Sequence, residues 1–165
     1  LFVAVFVGYA VGSAPIVSFH YGARNHAEVH NLYQKSLRLI AVVSVTMTAA
    51  SMVIIPHVAH IFVGYDAQLL ALTSRAFRLY ALCFLIKGFN IYASSFFTAL
   101  GDGVTSALIS FLRTFLFQMA ALLLLPALWG IDGVWLAVTA AELATLAVTV
   151  YMFVTKDQKF HYRHV

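Results

Sequence analysis

Residues 13–25, SAPIVSFHYGARN, stand where a long apolar run gives way to charge. Upstream, residues 1–12 read LFVAVFVGYAVG, with almost no polar side chain. Then come Pro15, Gly22 and the cluster Arg24, Asn25, His26 and Glu28. A proline inside a soluble helix costs about 3 kcal/mol or more, because it removes a backbone hydrogen bond and crowds the preceding turn. In a membrane helix it is tolerated, since neighbouring helices and local adjustments re-satisfy the freed carbonyl. The meaning of Pro15 therefore depends on the solvent around it.

Composition identifies that solvent. The chain has 165 residues, of which 62% are hydrophobic and 10% charged, and its mean hydropathy is +0.91. Soluble domains carry roughly 25% charged residues. A globule of this size has too little interior to hide so much apolar surface, so the chain reads as an all-α integral membrane protein. The apolar run is already under way at Leu1, with no basic segment before it, which argues against a signal peptide and for a chain that continues upstream. Cys83 stands alone inside an apolar run, so it forms no intrachain disulfide and reads as a small packing residue.

A span needs about 20 apolar residues. Five are expected, at about residues 1–19, 37–63, 79–100, 106–128 and 134–155. The loop between the first two carries Arg24, Lys35 and Arg38, and the tail KDQKFHYRHV carries Lys156, Lys159 and Arg163. If the spans alternate, these basic segments share one side with the tight turn GDGVTS, residues 101–106. The opposite side has Arg75 and Arg78 after the second span, and only Asp132 in WGIDG. The basic excess places the loop and the carboxy-terminus in the cytoplasm. The net charge of +4 is then topogenic and calls for no nucleic acid. Residues 64–78, GYDAQLLALTSRAFR, carry Leu69, Leu70 and Leu72 in a helical pattern and are expected along the outer interface.

In this frame Pro15 lies about two turns before the cytoplasmic end of its span. Gly8 and Gly12 precede it on one face, where small residues let a neighbouring helix approach. Gly22 reads as the helix stop and Arg24 as the interface marker. Pro15 is a candidate helix bend, open to two readings: ordinary packing, or a bend that moves during transport.

Three longer stretches carry a resemblance: residues 12–25, GSAPIVSFHYGARN; residues 89–117, FNIYASSFFTALGDGVTSALISFLRTFLF; and residues 122–146, LLLLPALWGIDGVWLAVTAAELATL. In order and spacing they resemble the end of the eighth helix, the tenth-to-eleventh helix turn, and the eleventh-to-twelfth junction of MATE transporters, the multidrug and toxic compound extrusion family, in its bacterial multidrug-exporter branch. The resemblance implies helices eight to twelve, most of one six-helix lobe of a twelve-helix protein with both ends cytoplasmic. It also implies missing partners, the amino-terminal lobe and the seventh helix, which hold several of the family's cation-site acids. The implied function is secondary active transport by proton- or sodium-coupled antiport, exporting small organic, often cationic, compounds across the bacterial inner membrane. No organic cofactor is implied, and the coupling cation would be held mainly by the missing parts. Two alternatives stay open: a lipid-linked oligosaccharide flippase of the same superfamily, or a non-transporting membrane subunit.

Three charged side chains fall inside apolar segments: Lys87, Arg113 and Glu142. Each costs at least about 2.5–3.5 kcal/mol near a bilayer centre, so each is a candidate functional residue. At about 1.5 Å per residue, Lys87 and Glu142 both lie roughly 12 Å from the outer ends of their spans, so they are level if the spans meet. Glu142 then either titrates or lines a cavity with Lys87 as counter-charge, or the two form a static pair. Asn90, one turn from Lys87, completes that polar face. Arg113 matches a position that is usually Arg in the family and reads as a structural or snorkelling residue nearer the cytoplasm. Sodium-linked members with an acid on the tenth helix have no counterpart here, where that span offers only Lys87.

The other polar clusters carry no chemistry. HAEVH, residues 26–30, lacks the glutamate of a zinc-protease motif, and His57 with His60 supplies too few ligands for a metal. GDG at residues 101–103 lacks the lysine and preceding strand of a phosphate loop. No arrangement of nucleophile and base suggests an enzyme. Tyr9, Phe19, Tyr92, Phe96, Phe97, Phe115 and Phe117 are candidates for a greasy cavity or for plain packing, and Trp129 and Trp135 for outer-interface anchors.

Overall fold

The computed structural model describes residues 2–162; Leu1, at the head of the first expected span, and Arg163, counted with the tail cations, lie outside the described residues. The described elements are all helical: α1 (Phe2–Gly22), α2 (His26–Val63), α3 (Ala67–Ala81), α4 (Phe84–Ala99), α5 (Gly103–Phe111), a π-helical turn (Leu112–Phe117), α6 (Gln118–Trp129), α7 (Ile131–Thr155) and the short α8 (Asp157–Phe160). Among the described residues, four continuous helical stretches are long and apolar enough to cross a membrane: α1, α2, α5 through α6, and α7. α3 and α4 meet at 43° and pass the same test together, which makes a fifth. The protein is thus all-α, with the span number expected of a partial transporter lobe.

Side-chain caps set several boundaries. Asn25 accepts from the Glu28 N–H at 3.1 Å and starts α2 well before its apolar stretch. At about 1.5 Å per residue α2 is about 57 Å long, more than the roughly 30 Å hydrocarbon core, so its polar first turns extend past that layer. Asp66 caps α3 through the Gln68 and Leu69 N–H groups, at 2.8 and 3.1 Å. The expected third span, from residue 79, proves to be broken: α3 ends at Ala81 and α4 begins at Phe84, with the bend between them.

Two expectations about α1 need correction. Gly22 is its last residue, but the left-handed position belongs to Arg24, at φ 57°. Bonds from the Arg24 N–H to the Tyr21 carbonyl and from the Asn25 N–H to the His20 carbonyl close the helix around Arg24. Nor do Gly8 and Gly12 admit a neighbour from this chain: a Cβ on either would meet no other part of it within 4 Å. α1 buries Phe6, Ala10 and Val17 instead, on the opposite face, where Phe6 carries more packing area than a glycine stripe. The close approach occurs at Gly88 of α4, where a Cβ would meet the Phe6 ring at 2.6 Å and Ile40 at 3.0 Å. α1 continues as helix through Pro15, which is exposed.

The π-turn has a packing reason. Ile109 and Ala121 are buried on the same long span, and 121 − 109 = 12 residues separate them. In a regular α-helix that spacing leaves them about 120° apart. The extra residue of a π-turn removes about 100° of that, so both face inward. At the end of the bundle that carries the tail, Tyr92, Phe96, Phe97, Phe153 and Tyr162 fill the main core. Toward the other end, Phe6, Ile55, Ala81, Cys83 and Phe84 form a second core. There Arg75 pairs with Asp132, tying α3 to the start of α7.

Candidate functional site

The polar side chains that sequence placed inside spans three and five come together where α4 packs on α7. Asn90 and Glu142 are buried, at 0% and 3% exposure. The Asn90 amide donates to the Glu142 carboxylate Oε2 at 2.8 Å and to the Glu142 backbone carbonyl at 2.9 Å. Its own Oδ1 accepts from the Thr149 hydroxyl at 3.0 Å. The Lys87 ammonium stands 3.7 Å from Glu142 Oε1, an ion pair beyond hydrogen-bond range. It also lies 5.7 Å from the centre of the Tyr80 ring. Asn90 is therefore the close partner of the carboxylate, and Lys87 the looser one.

Helical spacing explains the assembly. Lys87 and Asn90 are three apart on α4, and Glu142, Thr145 and Thr149 repeat at three and four on α7, so each set shares a face. Thr149 escaped the sequence reading, although its position seven residues after Glu142 on a helix is the signal that finds it. Lys87 is one turn beyond the break between α3 and α4. The bend brings the Tyr80 ring near its ammonium, a placement sequence does not reveal.

Arg113 does not join this junction. It sits in the π-turn, and its guanidinium Nη1 is buried without a hydrogen-bond partner. The candidate aromatics separate. Tyr92, Phe96 and Phe97 fill the core instead of lining open space, while Phe19 and Phe115 are exposed. Phe117 packs beside Ala121 and Ala141, and the Tyr9 hydroxyl meets Ser36 Oγ at 2.8 Å. A side cavity of about 340 Å³ opens between α2 and α7, lined by Tyr33, Leu37, Phe89, Thr149, Phe153 and neighbours. Through Thr149 it reaches the polar junction. Among the described residues, no three His, Cys, Asp or Glu side chains gather at one point.

At the tail end, Asp102 caps α5. Burial opposes its charge, but bonds from the Thr105 hydroxyl and N–H and from Lys156 outweigh it and hold the carboxyl below its usual range. Lys156 Nζ lies 3.3 Å from Asp102 Oδ2.

A family model, MatE, matches residues 1–123. No curated protein matches the chain. Among solved structures, one described as the inward-facing conformation of a multidrug resistance MATE family transporter of the MOP superfamily superposes with a TM-score of 0.87. The two share 18% identity, over 100% of this chain and 38% of the other. The likeness is one of fold, and this chain spans 38% of that transporter's length.

Proposed function

The chain belongs to the MatE family, and we propose that it is most of one lobe of a secondary active transporter that exports small organic compounds by cation-coupled antiport. The observation that carries the reading is the buried junction of Lys87, Asn90, Glu142 and Thr149. A charged pair inside apolar spans is costly and is retained where ions or polar solutes must be handled nearby. The membrane is the bacterial inner membrane, with the tail end in the cytoplasm, supported by the basic excess of that end. The coupling ion binds mainly in the parts of the transporter beyond this chain. Within this chain, Glu142 and Lys87 act first as a pair that locks α4 to α7.

The test uses the full-length transporter in vesicles. Drug efflux is followed under an imposed proton or sodium gradient. Efflux that rises with one gradient supports the antiport reading, and efflux indifferent to both overturns it. Orientation is read separately, with cysteines at positions 132 and 159 in a Cys83→Ala protein and an impermeant thiol reagent. Labelling of 132 from outside intact cells is expected. Labelling of 159 alone reverses the topology.

A further inference from the structure

After α7 the chain does not trail away. It turns at Lys156, forms α8, passes through a left-handed His161 at φ 52° and drives Tyr162 back into the bundle. Tyr162 is fully buried, at 0% exposure. Its ring packs on three helices: Tyr33 of α2 at 5.3 Å, Phe96 of α4 at 5.3 Å and Phe153 of α7 at 6.0 Å between centres. Its hydroxyl donates to the Phe153 carbonyl at 2.8 Å. Its backbone carbonyl accepts from His30 Nδ1 at 2.8 Å. The Gln34 amide donates to the other nitrogen of that ring at 2.9 Å, which fixes the proton on Nδ1. At the start of the segment Lys156 is clamped to Asp102 in the α4–α5 turn.

Two of the residues that Tyr162 covers, Tyr33 and Phe153, also line the cavity between α2 and α7. Thr149 lines the same cavity and bonds Asn90, which holds Glu142. Along α7 from the tail end inward, the cavity wall runs Val154, Phe153, Val150, Thr149 and Leu146, with Tyr162 packed on Phe153 near its tail end. The chain after α7 thus packs against the residues at the tail end of the cavity.

We propose that residues 156–162 form a latch that controls the access of water from the tail end to this cavity and to the Asn90–Glu142 junction behind it. Closed, the Tyr162 ring completes an aromatic floor with Tyr33 and Phe153. Open, the floor loses its central ring, and water enters as far as Thr149. The latch is held by contacts that can release without unfolding a span, among them the inserted rings of Tyr162 and Phe160, the two hydrogen bonds of Tyr162 and the part-exposed Lys156–Asp102 pair. The inference rests on the membrane reading above, because it needs the tail end to face water.

The experiment uses the full-length transporter made free of other cysteines, with Leu146→Cys as reporter: Leu146 lines the cavity and makes none of the bonds of the polar junction. Labelling by an impermeant methanethiosulfonate reagent is timed in vesicles of both orientations. With the latch intact, labelling from the tail side is slow. Tyr162→Ala is expected to speed it by about tenfold or more, because the opening equilibrium shifts toward the exposed state. Tyr162→Phe, which keeps the ring, stays close to the parent. Lys156→Gln, which loosens only the clamp, gives a smaller rise and serves also if Tyr162→Ala fails to accumulate. Unchanged labelling in Lys156→Gln, and in Tyr162→Ala where it accumulates, overturns the latch. Acceleration from the side opposite to that expected for a cytoplasmic tail keeps the latch and overturns the orientation.

Discussion

α7 packs against its neighbours by two different physical devices. Toward α6 it presents Gly133, Ala137 and Ala141, small residues that bring the backbones together. A Cβ on Gly133 would stand 2.3 Å from the Leu125 carbonyl oxygen. Toward α4 it presents Glu142 and Thr149, and the contact is a set of hydrogen bonds with an ion pair beside them. In lipid no hydrophobic force separates the two, since acyl chains are as apolar as leucine; close packing and interhelical hydrogen bonds remain. The small-residue seam is sufficient to hold a hairpin. The polar seam is the more expensive solution, because a buried ion pair can often be replaced by apolar side chains at no loss of stability. α7 thus carries the cheaper device on one face and the dearer one on another, and substitution of each tells them apart.

The sharpest way to break this contrast is at Glu142. Glu142→Ala leaves the largely buried Lys87 without its counter-charge and takes from the Asn90 amide one of its two acceptors, the backbone carbonyl remaining, and is expected to cost about 3–5 kcal/mol, seen as loss of accumulated protein. Lys87→Met with Glu142→Gln removes both charges and is expected to recover much of that loss. A double variant that accumulates well and has lost all cation-driven efflux makes Glu142 a transport residue, not half of a static pair.

Next in size is the apolar seam. Gly133→Val puts a branched side chain onto backbone that cannot yield, and is expected to cost about 3 kcal/mol. Leu125→Ala should not rescue it, since the collision is with the carbonyl and not the side chain. Rescue by that second substitution, read as thermal stability in detergent, contradicts the close approach.

How much of this was legible in the sequence follows from the same contrast. The polar seam was readable, because a charge within a span is rare and helical spacing says which charges share a level. Lys87, Asn90 and Glu142 were named from that alone. Packing of small residues was not readable at the right place. Gly8 and Gly12 looked like a contact and are open in this chain, while Gly133 and Gly88 make the real ones, because small side chains do not say which face meets a neighbour. The π-turn at Leu112–Phe117 left no local trace either, since its cause is the distance between Ile109 and Ala121. The inward return of Tyr162 depends on a ring finding Tyr33, remote in sequence. The break before α4 has no Gly or Pro to announce it.

Pro15 tests the exposed face of α1 against its packed one. Nothing from this chain lies against Gly8 or Gly12, and Pro15 is exposed beside them. Pro15→Ala therefore disturbs no contact seen here and restores a backbone donor, so the full-length protein is expected to accumulate normally. If the bend moves during transport, efflux falls. Unchanged efflux at equal protein level reduces Pro15 to packing.

The smallest expected effect compares the two turns at the tail end. α1 and α4 close in the same way. In the first, the Asn25 N–H reaches back to the His20 carbonyl; in the second, the Asp102 N–H reaches the Phe97 carbonyl. Each turn passes through one left-handed residue and then an Asx side chain that caps the next helix. The left-handed residue is Gly101 at φ 81° in one turn and Arg24 at φ 57° in the other. A side chain there costs roughly 1–2 kcal/mol, which glycine avoids. Glycine in turn gives some of this back through the greater freedom of the unfolded chain. Arg24→Gly is thus expected to stabilise by about 0.5 kcal/mol and Gly101→Ala to destabilise by about 1 kcal/mol, read as shifts in thermal midpoint in detergent. Both variants keep the backbone bonds that define the turns. If Arg24→Gly instead lowers stability, the guanidinium contributes more at that surface than its backbone strain costs, and the two turns are alike in geometry only.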